Sequence, residues 1–328
     1  MKRRSPLAQR LWHELRKAEV SPQSHFLICV SGGSDSMALL HLFKEIIPSS
    51  YLHILHCNHG VRTEAHNDAV FVEKQAKLLR IPIHLRIHMG LKRLTSGFQA
   101  AAREWRRQEA EHLCKLFKLS FIVQGHHRGD QLETRLHRML RGTHLSNLQG
   151  MRVKQGHWLR PLLVFTKLEL KDYLLQQDKI WTEDSSNADN KYTRNFLRHK
   201  AIPKLQQVAG GALEQRLEEL SQQSSALREH LQAERERLWL KVCIQEANYL
   251  KICNLELIQL SDLVCWEILH HWLKMNNLNP NFARLQGLAR QIKKSPSSPW
   301  CWEIGKGWQV RSKSSQLTLE HISTLQPK

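Results

Sequence analysis

Two glycines flanked by serines, Ser-Gly-Gly-Ser-Asp-Ser, form a segment that could bind a phosphate group. The apolar run Phe26–Val30 before them predicts a strand buried on both faces, and the apolar residues after them predict a helix. Glycines permit positive φ and leave no Cβ in the way of a ligand, and the N–H groups at a helix N-terminus attract anions. The candidate ligand-binding residues are therefore Ser31, Gly32, Gly33, Ser34, Asp35 and Ser36.

From these residues alone the prediction stops at phosphate. The segment has neither the lysine of a Walker A loop nor the spacing of a dinucleotide-binding loop. A capped turn between a strand and a helix, as found in any α/β protein, remains the alternative.

A second candidate site combines two carboxylates, Asp130 and Glu133, that follow two adjacent histidines. A spacing of three residues places both carboxylates on one face of a helix. Together they could hold Mg²⁺ on a pyrophosphate or bind a cationic substrate. The alternative is a helix cap with a first-turn acid that offsets the helix dipole.

Several arginines on predicted helices could neutralise phosphates, since the guanidinium group offers bidentate contacts. Arg103 and Arg106 share a helix face and follow three alanines that permit close packing. The other candidates are Arg141, Arg194 and Arg198, together with the neighbouring Asn195. The alternative for all of these residues is a solvated surface position.

Strands and helices alternate over the first two thirds of the chain, which predicts an α/β fold with a mostly parallel, doubly wound sheet. Further predicted strands are Tyr51–Cys57, Ile81–Ile87, Ser120–Val123 and Trp158–Leu163. Ligands of such sheets bind beyond the carboxyl ends of the strands. We therefore expect residues 31–36, 56–59 and 125–130 along one edge.

A change of composition near residue 210 divides the chain into a predicted α/β domain, 1–210, and a smaller, mainly helical domain, 211–328, with a small β element around Gly305. Leucines from Leu213 to Leu238 recur at helical spacing and predict one long helix packed within the chain. A dimeric coiled coil, and hence a homodimer, is the alternative.

The charge balance favours a polyanionic partner, because 49 Lys+Arg against 30 Asp+Glu give a net charge of +19 in 328 residues. A basic protein without nucleic-acid contact is the alternative, and an anionic membrane is a weaker one. Seven scattered cysteines without a C-x-x-C pair favour a reducing, cytoplasmic compartment and argue against a disulfide framework or zinc site. No apolar run approaches the roughly 18 residues of a membrane span, and we expect no membrane association.

Taken in order, these motifs closely resemble the tRNA(Ile)-lysidine synthases, which belong to the PP-loop ATP pyrophosphatases. The resemblance is strong over about residues 25–205 and looser over 255–319. The motifs are specific to this family when taken as an ordered series, although each motif alone is weak evidence for it. The series comprises Ser-Gly-Gly-Ser-Asp-Ser at 31–36, His56-Cys57-Asn58-His59, Ala101-Ala102-Arg103, His126-His127 with Asp130 and Glu133, Arg141-Gly142-Thr143, Asp184 with Ser186-Asn187, and Arg194-Asn195 with Arg198.

The resemblance implies a C–N ligase that uses ATP to attach L-lysine to C2 of the wobble cytidine in the CAU anticodon of an isoleucine tRNA. It also implies an adenylated base as intermediate, with release of pyrophosphate and AMP, and a modified tRNA that decodes AUA. The C-terminal domain of the family is implied to assist tRNA binding.

The same resemblance implies roles for individual residues. Residues 31–36 would bind the leaving pyrophosphate, with Asp35 and Asp130 as candidate Mg²⁺ ligands. His56 and Asn58 would lie near the adenosine. Asp130 and Glu133 would bind the lysine ammonium or a second magnesium ion. Phosphate or the lysine carboxylate would be bound by Arg103, Arg106, Arg194 and Arg198. Further tRNA contacts would come from Arg141 and Asn195.

One position departs from the family pattern, which often carries a second acid immediately before Asp130, where this chain has Gly129. Since Asp130 and Glu133 remain, we expect an active enzyme. Two alternatives stay open. One is another PP-loop enzyme that thiolates tRNA, and the other is a non-catalytic tRNA-binding protein with a relic nucleotide fold.

Overall fold

The structure is a computed structural model that describes residues 4–58, 64–88, 98–140, 149–182, 193–246, 249–305 and 307–322. The chain forms two compact units. The first comprises Met1–Thr134 and Gly150–Gln207, and the second Arg135–Gln149 and Val208–Lys328.

A six-stranded sheet forms the centre of the first unit, in the order β3-β2-β1-β4-β6-β5. All neighbouring strands are parallel except β5, which pairs antiparallel with β6 at the edge. The strands are β1 (Phe26–Cys29), β2 (Leu52–Asn58), β3 (Ile83–Ile87), β4 (Phe121–Val123), β5 (Lys154–Gln155) and β6 (Trp158–Leu159).

Helices cover both faces of this sheet. They are α1 (Pro6–Lys17), α2 (Ser34–Ile46), α3 (Glu64–Leu79) and α6 (Lys167–Gln176) on one face and α4 (Phe98–Leu116) on the other. Three further helices are α5 (Arg128–Leu140), α7 (Thr193–Phe196) and α8 (Ile202–Val208). Phe26 and Ile28 of β1 pack with apolar residues of α1, α2, α3 and α6, whereas Leu27 packs with residues of α4. Alternate residues of β1 thus enter two different cores, as predicted for a strand buried on both faces.

Strand order reverses beside β1, because β2 and β3 lie on one side of it and β4 and β6 on the other. The carboxyl ends of β1 and β4 therefore flank a topological switch point, the place where open α/β sheets bind ligands. The predicted α/β fold with a mostly parallel, doubly wound sheet is confirmed.

The strand predicted at Trp158–Leu163 is shorter in the structure. Strand β6 ends at Leu159, and a 3₁₀ helix follows at Pro161–Val164. Proline has no N–H to donate to a sheet, and its fixed φ suits the first turn of a helix. Arg160 therefore lies directly beyond the carboxyl end of a parallel strand.

The second unit combines helices with a five-stranded antiparallel sheet of order β7-β8-β11-β10-β9. Its core contains the fully buried Trp272. The elements are α9 (Leu213–Val242), β7 (Cys243–Glu246), β8 (Tyr249–Cys253), α10 (Asn254–Ile258), α11 (Asp262–Met275), α12 (Phe282–Lys294), β9 (Trp300–Gly305), β10 (Trp308–Lys313) and β11 (Gln316–His321).

The leucine-rich segment forms the single 30-residue helix α9. Leu217 and Leu231 are buried, whereas Leu220 is exposed. In this unit the sequence predicted β structure only around Gly305. Strands β7 and β8 of the same sheet were not predicted. Within the described residues, no helix is long and apolar enough to cross a membrane.

Candidate active site

The serine- and glycine-containing segment forms a tight loop between β1 and α2. Gly32 has a φ of 99°, a backbone conformation that residues with a side chain rarely adopt. Its carbonyl accepts a 2.9 Å hydrogen bond from the N–H of Thr182, and a Cβ on Gly32 would lie 2.8 Å from Thr182 Oγ1. Both the backbone conformation and the close packing therefore require glycine here.

The hydroxyl of Ser36 holds this loop in shape. Its Oγ accepts hydrogen bonds from the N–H groups of Ser31, at 3.1 Å, and Gly32, at 3.2 Å, and donates to the carbonyl of Gly33 at 2.9 Å. A hydroxyl has one donor and two lone pairs, so these bonds leave Ser36 little capacity for another partner. Ser36 therefore positions the loop, and other groups remain for an anion.

The N-terminus of α2 supplies those groups. Its N-cap is Gly33, and no side chain accepts a hydrogen bond from the first turn. The first N–H groups of a helix have no partners within it, and the helix dipole adds positive potential. A helix of 13 residues that begins at a ligand-binding edge without a capping side chain is thus suited to an anion such as phosphate.

The carboxyl end of β4 approaches this helix closely. A Cβ on Gly125 would lie 3.3 Å from the carbonyl oxygen of Asp35. A larger residue at 125 would force the first turn of α2 away from β4. The predicted edge is confirmed for these two segments, since both lie beyond the carboxyl ends of the adjacent strands β1 and β4.

His127 connects the two acidic positions. Its buried Nε2 lies 3.7 Å from Oδ2 of Asp35 and 3.7 Å from Oδ2 of Asp130. The other ring nitrogen, Nδ1, accepts a 3.0 Å hydrogen bond from the N–H of Gly129. In the neutral ring the proton therefore resides on Nε2, directed between the two carboxylates.

Glycine at 129 makes this ring position possible, because a Cβ there would lie 2.8 Å from Cε1 of His127. A side chain at 129 cannot coexist with the observed ring without a shift. The departure from the family pattern at Gly129 is thus linked to the position of its neighbour, His127.

Asp130 and Glu133 share one cation, Arg198. Arg198 donates from Nη2 to Oδ1 of Asp130 at 2.9 Å and from Nε to Oε1 of Glu133. Burial acts to raise the pKa of Asp130, but the charges of His127, His126 and Arg198 and the backbone N–H of His127 together lower it. Burial acts to lower the pKa of Arg198, yet Glu133, Asp130 and Asp35 raise it overall. Asp130 and Arg198 are therefore both charged at neutral pH.

A cleft of about 820 Å³ opens beside the loop. Ser31, Asp35 and Ser36 line one side of it, together with the apolar Val30 and Leu55. Four arginines line it as well: Arg103, Arg106 and Arg107 from α4, and Arg160 from the end of β6. A volume of this size suits a nucleotide-sized ligand, and the arginines suit an anionic one.

With this geometry established, comparison with known proteins identifies the family. A family model described as a PP-loop domain, ATP_bind_3, matches residues 5–205. The chain belongs to this family. The loop at residues 31–36 is accordingly called the PP-loop below.

Curated relatives named tRNA(Ile)-lysidine synthase match over different lengths. The protein from Chlorobaculum tepidum is 35% identical over 65% of this chain and 66% of its own length. That from Thermotoga maritima is 32% identical over 56% of this chain and 46% of its own length. The protein from Francisella tularensis subsp. novicida is 29% identical over 92% of this chain and 75% of its own length. The chain thus spans less than two thirds of the length of the first two relatives. The predicted resemblance to the tRNA(Ile)-lysidine synthases is confirmed.

Among solved structures, the U34-tRNA thiolase NcsA from Methanococcus maripaludis, with its [4Fe-4S] cluster, has a similar fold. The TM-score is 0.57 at 14% identity, over 68% of this chain and 78% of that one. At this identity the likeness shows the PP-loop fold alone.

Two further predicted residues, His56 and Asn58, lie at the carboxyl end of β2. His56 is buried, and its Nδ1 hydrogen-bonds the carbonyl of Val30 at 2.9 Å. It joins β2 to the end of β1, whereas Leu55 and Cys57 line the cleft. Asn58 ends β2, and its carbonyl accepts from the N–H of His88 at 2.9 Å.

Other predicted positions fall partly outside the described residues. Arg141, His59 and Asp184–Asn187 lie outside them, as does the side chain of Arg194. Asn195 is half-buried in α7, the helix that precedes Arg198. Among the described residues, no group of three or more His, Cys, Asp or Glu side chains could hold a metal ion.

Sequence reasoning missed three residues of the site. His127 was considered only as half of an adjacent histidine pair, and its place between Asp35 and Asp130 follows from the tertiary structure. Arg107 adjoins Arg106, but the helical spacing did not select it. Arg160 was hidden because the predicted strand extended past it; the shorter strand would have placed it at a ligand-binding edge.

Proposed function

We propose that the chain is a tRNA(Ile)-lysidine synthase, a cytoplasmic ligase that joins L-lysine to C2 of the wobble cytidine of the CAU-anticodon isoleucine tRNA at the expense of ATP. The observation that carries the proposal is the match to the Francisella relative over 92% of this chain. A PP-loop beside a cleft lined by four arginines supports it.

In the first step, O2 of the cytidine attacks the α-phosphate of ATP, and pyrophosphate leaves. The uncapped N-terminus of α2 suits the leaving pyrophosphate, because its N–H groups and dipole stabilise negative charge as it develops. Arg103 and Arg106 line the same cleft and would neutralise phosphate charge there. The apolar lining at Val30 and Leu55 suits the adenine ring.

Mg²⁺ fits this site best through Asp35. Its side chain is 29% exposed in the first turn of α2, and carboxylates together with substrate phosphates are the usual ligands of Mg²⁺. When bound, the ion would offset phosphate charge. Asp130 is a weaker candidate, because Arg198 and the N–H of His127 already occupy its oxygens.

In the second step, the lysine ε-ammonium loses a proton, the resulting amine attacks C2, the bond from C2 to the adenylated oxygen breaks, and AMP leaves. Asp130 and Glu133 would receive the lysine ammonium before the attack. Since both carboxylates are held by Arg198, the incoming ammonium takes over contacts that one guanidinium makes in the structure.

Arg141, Arg194 and Asn195 remain proposed tRNA contacts. Residues 1–210 are the proposed catalytic domain, and residues 211–328 are a proposed tRNA-binding domain. The net charge of +19 supports contact with RNA. A homodimer also remains a prediction.

The deciding experiment measures incorporation of labelled L-lysine into isoleucine tRNA with the CAU anticodon, in the presence of ATP and Mg²⁺. We expect incorporation by the wild-type protein and a loss of at least about 100-fold in Asp35→Ala, in line with the removal of one group that stabilises transition-state charge. ATP cleavage with another tRNA but no lysine incorporation would favour a thiolating enzyme. Binding of tRNA without ATP cleavage would favour a non-catalytic protein.

A further inference from the structure

Arg160 carries a charge that the described part of the protein leaves largely unmatched. Its Nε is buried and has no hydrogen-bond partner among the described residues. Its Nη1 donates at 3.3 Å to the carbonyl of Arg152, and no described carboxylate lies within ion-pair distance. A buried donor without an acceptor is costly, and more so in a charged group.

The surroundings of Arg160 increase that cost. Burial lowers the pKa of Arg160, and the like charges of Arg103 and Arg107 lower it further. Arg107 is paired with Glu111 at 3.0 Å, whereas Arg106 donates at 3.4 Å to the carbonyl of Ala102 in its own helix and to no other group among the described residues. Guanidinium groups that converge on one cleft are stabilised when an anion binds between them.

We propose that Arg160, together with Arg107, which lines the same cleft, binds a phosphodiester group of the RNA substrate next to the nucleotide that is adenylated. This inference rests on the proposed function. It assigns substrate contacts to Arg160, which follows β6, and to Arg107, which belongs to α4.

The position of Arg160 in the sheet separates this anion from the phosphates of ATP. β6 lies two strands from β1, because β4 stands between them. Neighbouring strands are about 4.8 Å apart, so the ends of β1 and β6 are separated by about 10 Å. The N-terminus of α2 takes the pyrophosphate at the end of β1, which leaves the β6 side of the cleft for a second substrate.

The hairpin before Arg160 suits RNA for an independent reason. His157 lies between β5 and β6, lines the same cleft, and its side chain is 49% exposed. Unpaired RNA bases stack on histidine and aromatic rings, and RNA-modifying enzymes must bring the target base into a pocket together with its backbone. An exposed ring and an unmatched guanidinium, three residues apart, provide both kinds of contact.

The experiment measures the affinity of CAU-anticodon isoleucine tRNA for the full chain as a function of salt, in wild type, Arg160→Gln and Arg160→Lys. For Arg160→Gln we expect roughly tenfold weaker binding and a plot of log K against log salt that is shallower by about 0.7, the value for one contact with single-stranded RNA. For Arg160→Lys we expect weaker binding with an unchanged slope, because the charge remains and the fork is lost.

Two controls separate the alternatives. Arg16→Gln removes a charge from an exposed position of α1, and we expect it to leave both affinity and slope unchanged. Thermal unfolding tests folding, and we expect a midpoint no lower than that of the wild type in each Arg160 variant. ATP binding without tRNA is expected to keep the wild-type value. A slope unchanged in Arg160→Gln overturns the proposal. If the KM for lysine rises instead, the bound group is the lysine carboxylate; if ATP binding weakens, it is a phosphate of ATP. Failure of the wild-type protein to bind this tRNA would instead contradict the proposed function.

Discussion

Arg198 donates a 2.9 Å hydrogen bond from Nη2 to Oδ1 of Asp130, a residue 68 positions earlier in the chain. The same guanidinium bonds Glu133, whose side chain is 3% exposed. The carboxylates proposed to receive the lysine ammonium are therefore already satisfied by a cation of the protein. Burial acts to raise the pKa of Asp130, but the charge of Arg198 is among the causes that lower it, so this ion pair is sensitive to acid.

The first prediction concerns the pH dependence of stability. Because the pKa of Asp130 is lowered in the folded protein, its ionised form stabilises the fold above the unfolded pKa of about 3.9. That contribution is lost as the pH falls through the lower, folded value. We expect the free energy of unfolding, measured with urea between pH 6 and pH 3, to fall more steeply in the wild type than in Asp130→Asn. At pH 7 this variant is about 1–3 kcal/mol less stable.

Asp178→Asn supplies the matched control for that prediction, since Asp178 is exposed and the substitution is the same. Its pH profile is expected to follow that of the wild type. Parallel profiles for wild type and Asp130→Asn would show that the pair with Arg198 does not stabilise the fold.

The second prediction concerns Gly129 and His127. A methyl group at 129 would lie 2.8 Å from Cε1 and 3.1 Å from Nδ1 of a ring that is 7% exposed. Displacement of such a buried ring costs about 1–3 kcal/mol, so Gly129→Ala is destabilising even though alanine favours a helix by about 1 kcal/mol over glycine. The displaced ring also leaves Asp35 and Asp130 unconnected, and ATP cleavage slows.

A double-mutant cycle tests this explanation. In a His127→Ala background the ring is absent, and Gly129→Ala is expected to be neutral or stabilising in thermal or urea unfolding. The same cost in both backgrounds would place the cause elsewhere in α5.

How far the sequence predicts this site depends on whether its residues are near one another along the chain. The PP-loop, the strand before it and the helix after it are local, and glycine and serine preferences with apolar periodicity suffice to predict them. The pairing of Arg198 with Glu133 joins residues 65 positions apart, and neither spacing nor composition contains that information. The resemblance implied that Arg198 binds phosphate or the lysine carboxylate and that Glu133 binds the lysine ammonium or a magnesium ion. The tertiary structure pairs the two residues with each other.

Element boundaries limited the prediction in a second way. Trp158–Leu163 is apolar enough for a strand, but Pro161 ends the ladder after Leu159. Extending the strand by four residues moved Arg160 from a ligand-binding edge into a predicted strand interior. The side chain of His56 shows the opposite limit. The end of β2 was predicted to within one residue, Cys57 against Asn58 in the structure, whereas the face on which the ring lies was not determined.

The third prediction compares two serines of the PP-loop. Ser36→Ala removes the acceptor of the Ser31 and Gly32 N–H groups, and the second of these bonds is buried. Leaving such donors unsatisfied costs about 1–3 kcal/mol. Ser34→Ala removes only a long contact of 3.4 Å to Oδ1 of Asp35 and is expected to cost less than about 0.5 kcal/mol. Thermal unfolding without nucleotide therefore separates the two variants.

ATP binding by the same two variants shows what the Ser36 network does for function. Since the network fixes the loop in front of α2, Ser36→Ala is expected to weaken ATP binding by roughly tenfold through the shape of the loop. Ser36→Thr keeps the hydroxyl and is expected to restore part of both stability and affinity. Equal stability of Ser36→Ala and wild type, combined with weaker ATP binding, would instead assign the Ser36 hydroxyl to a direct contact with phosphate.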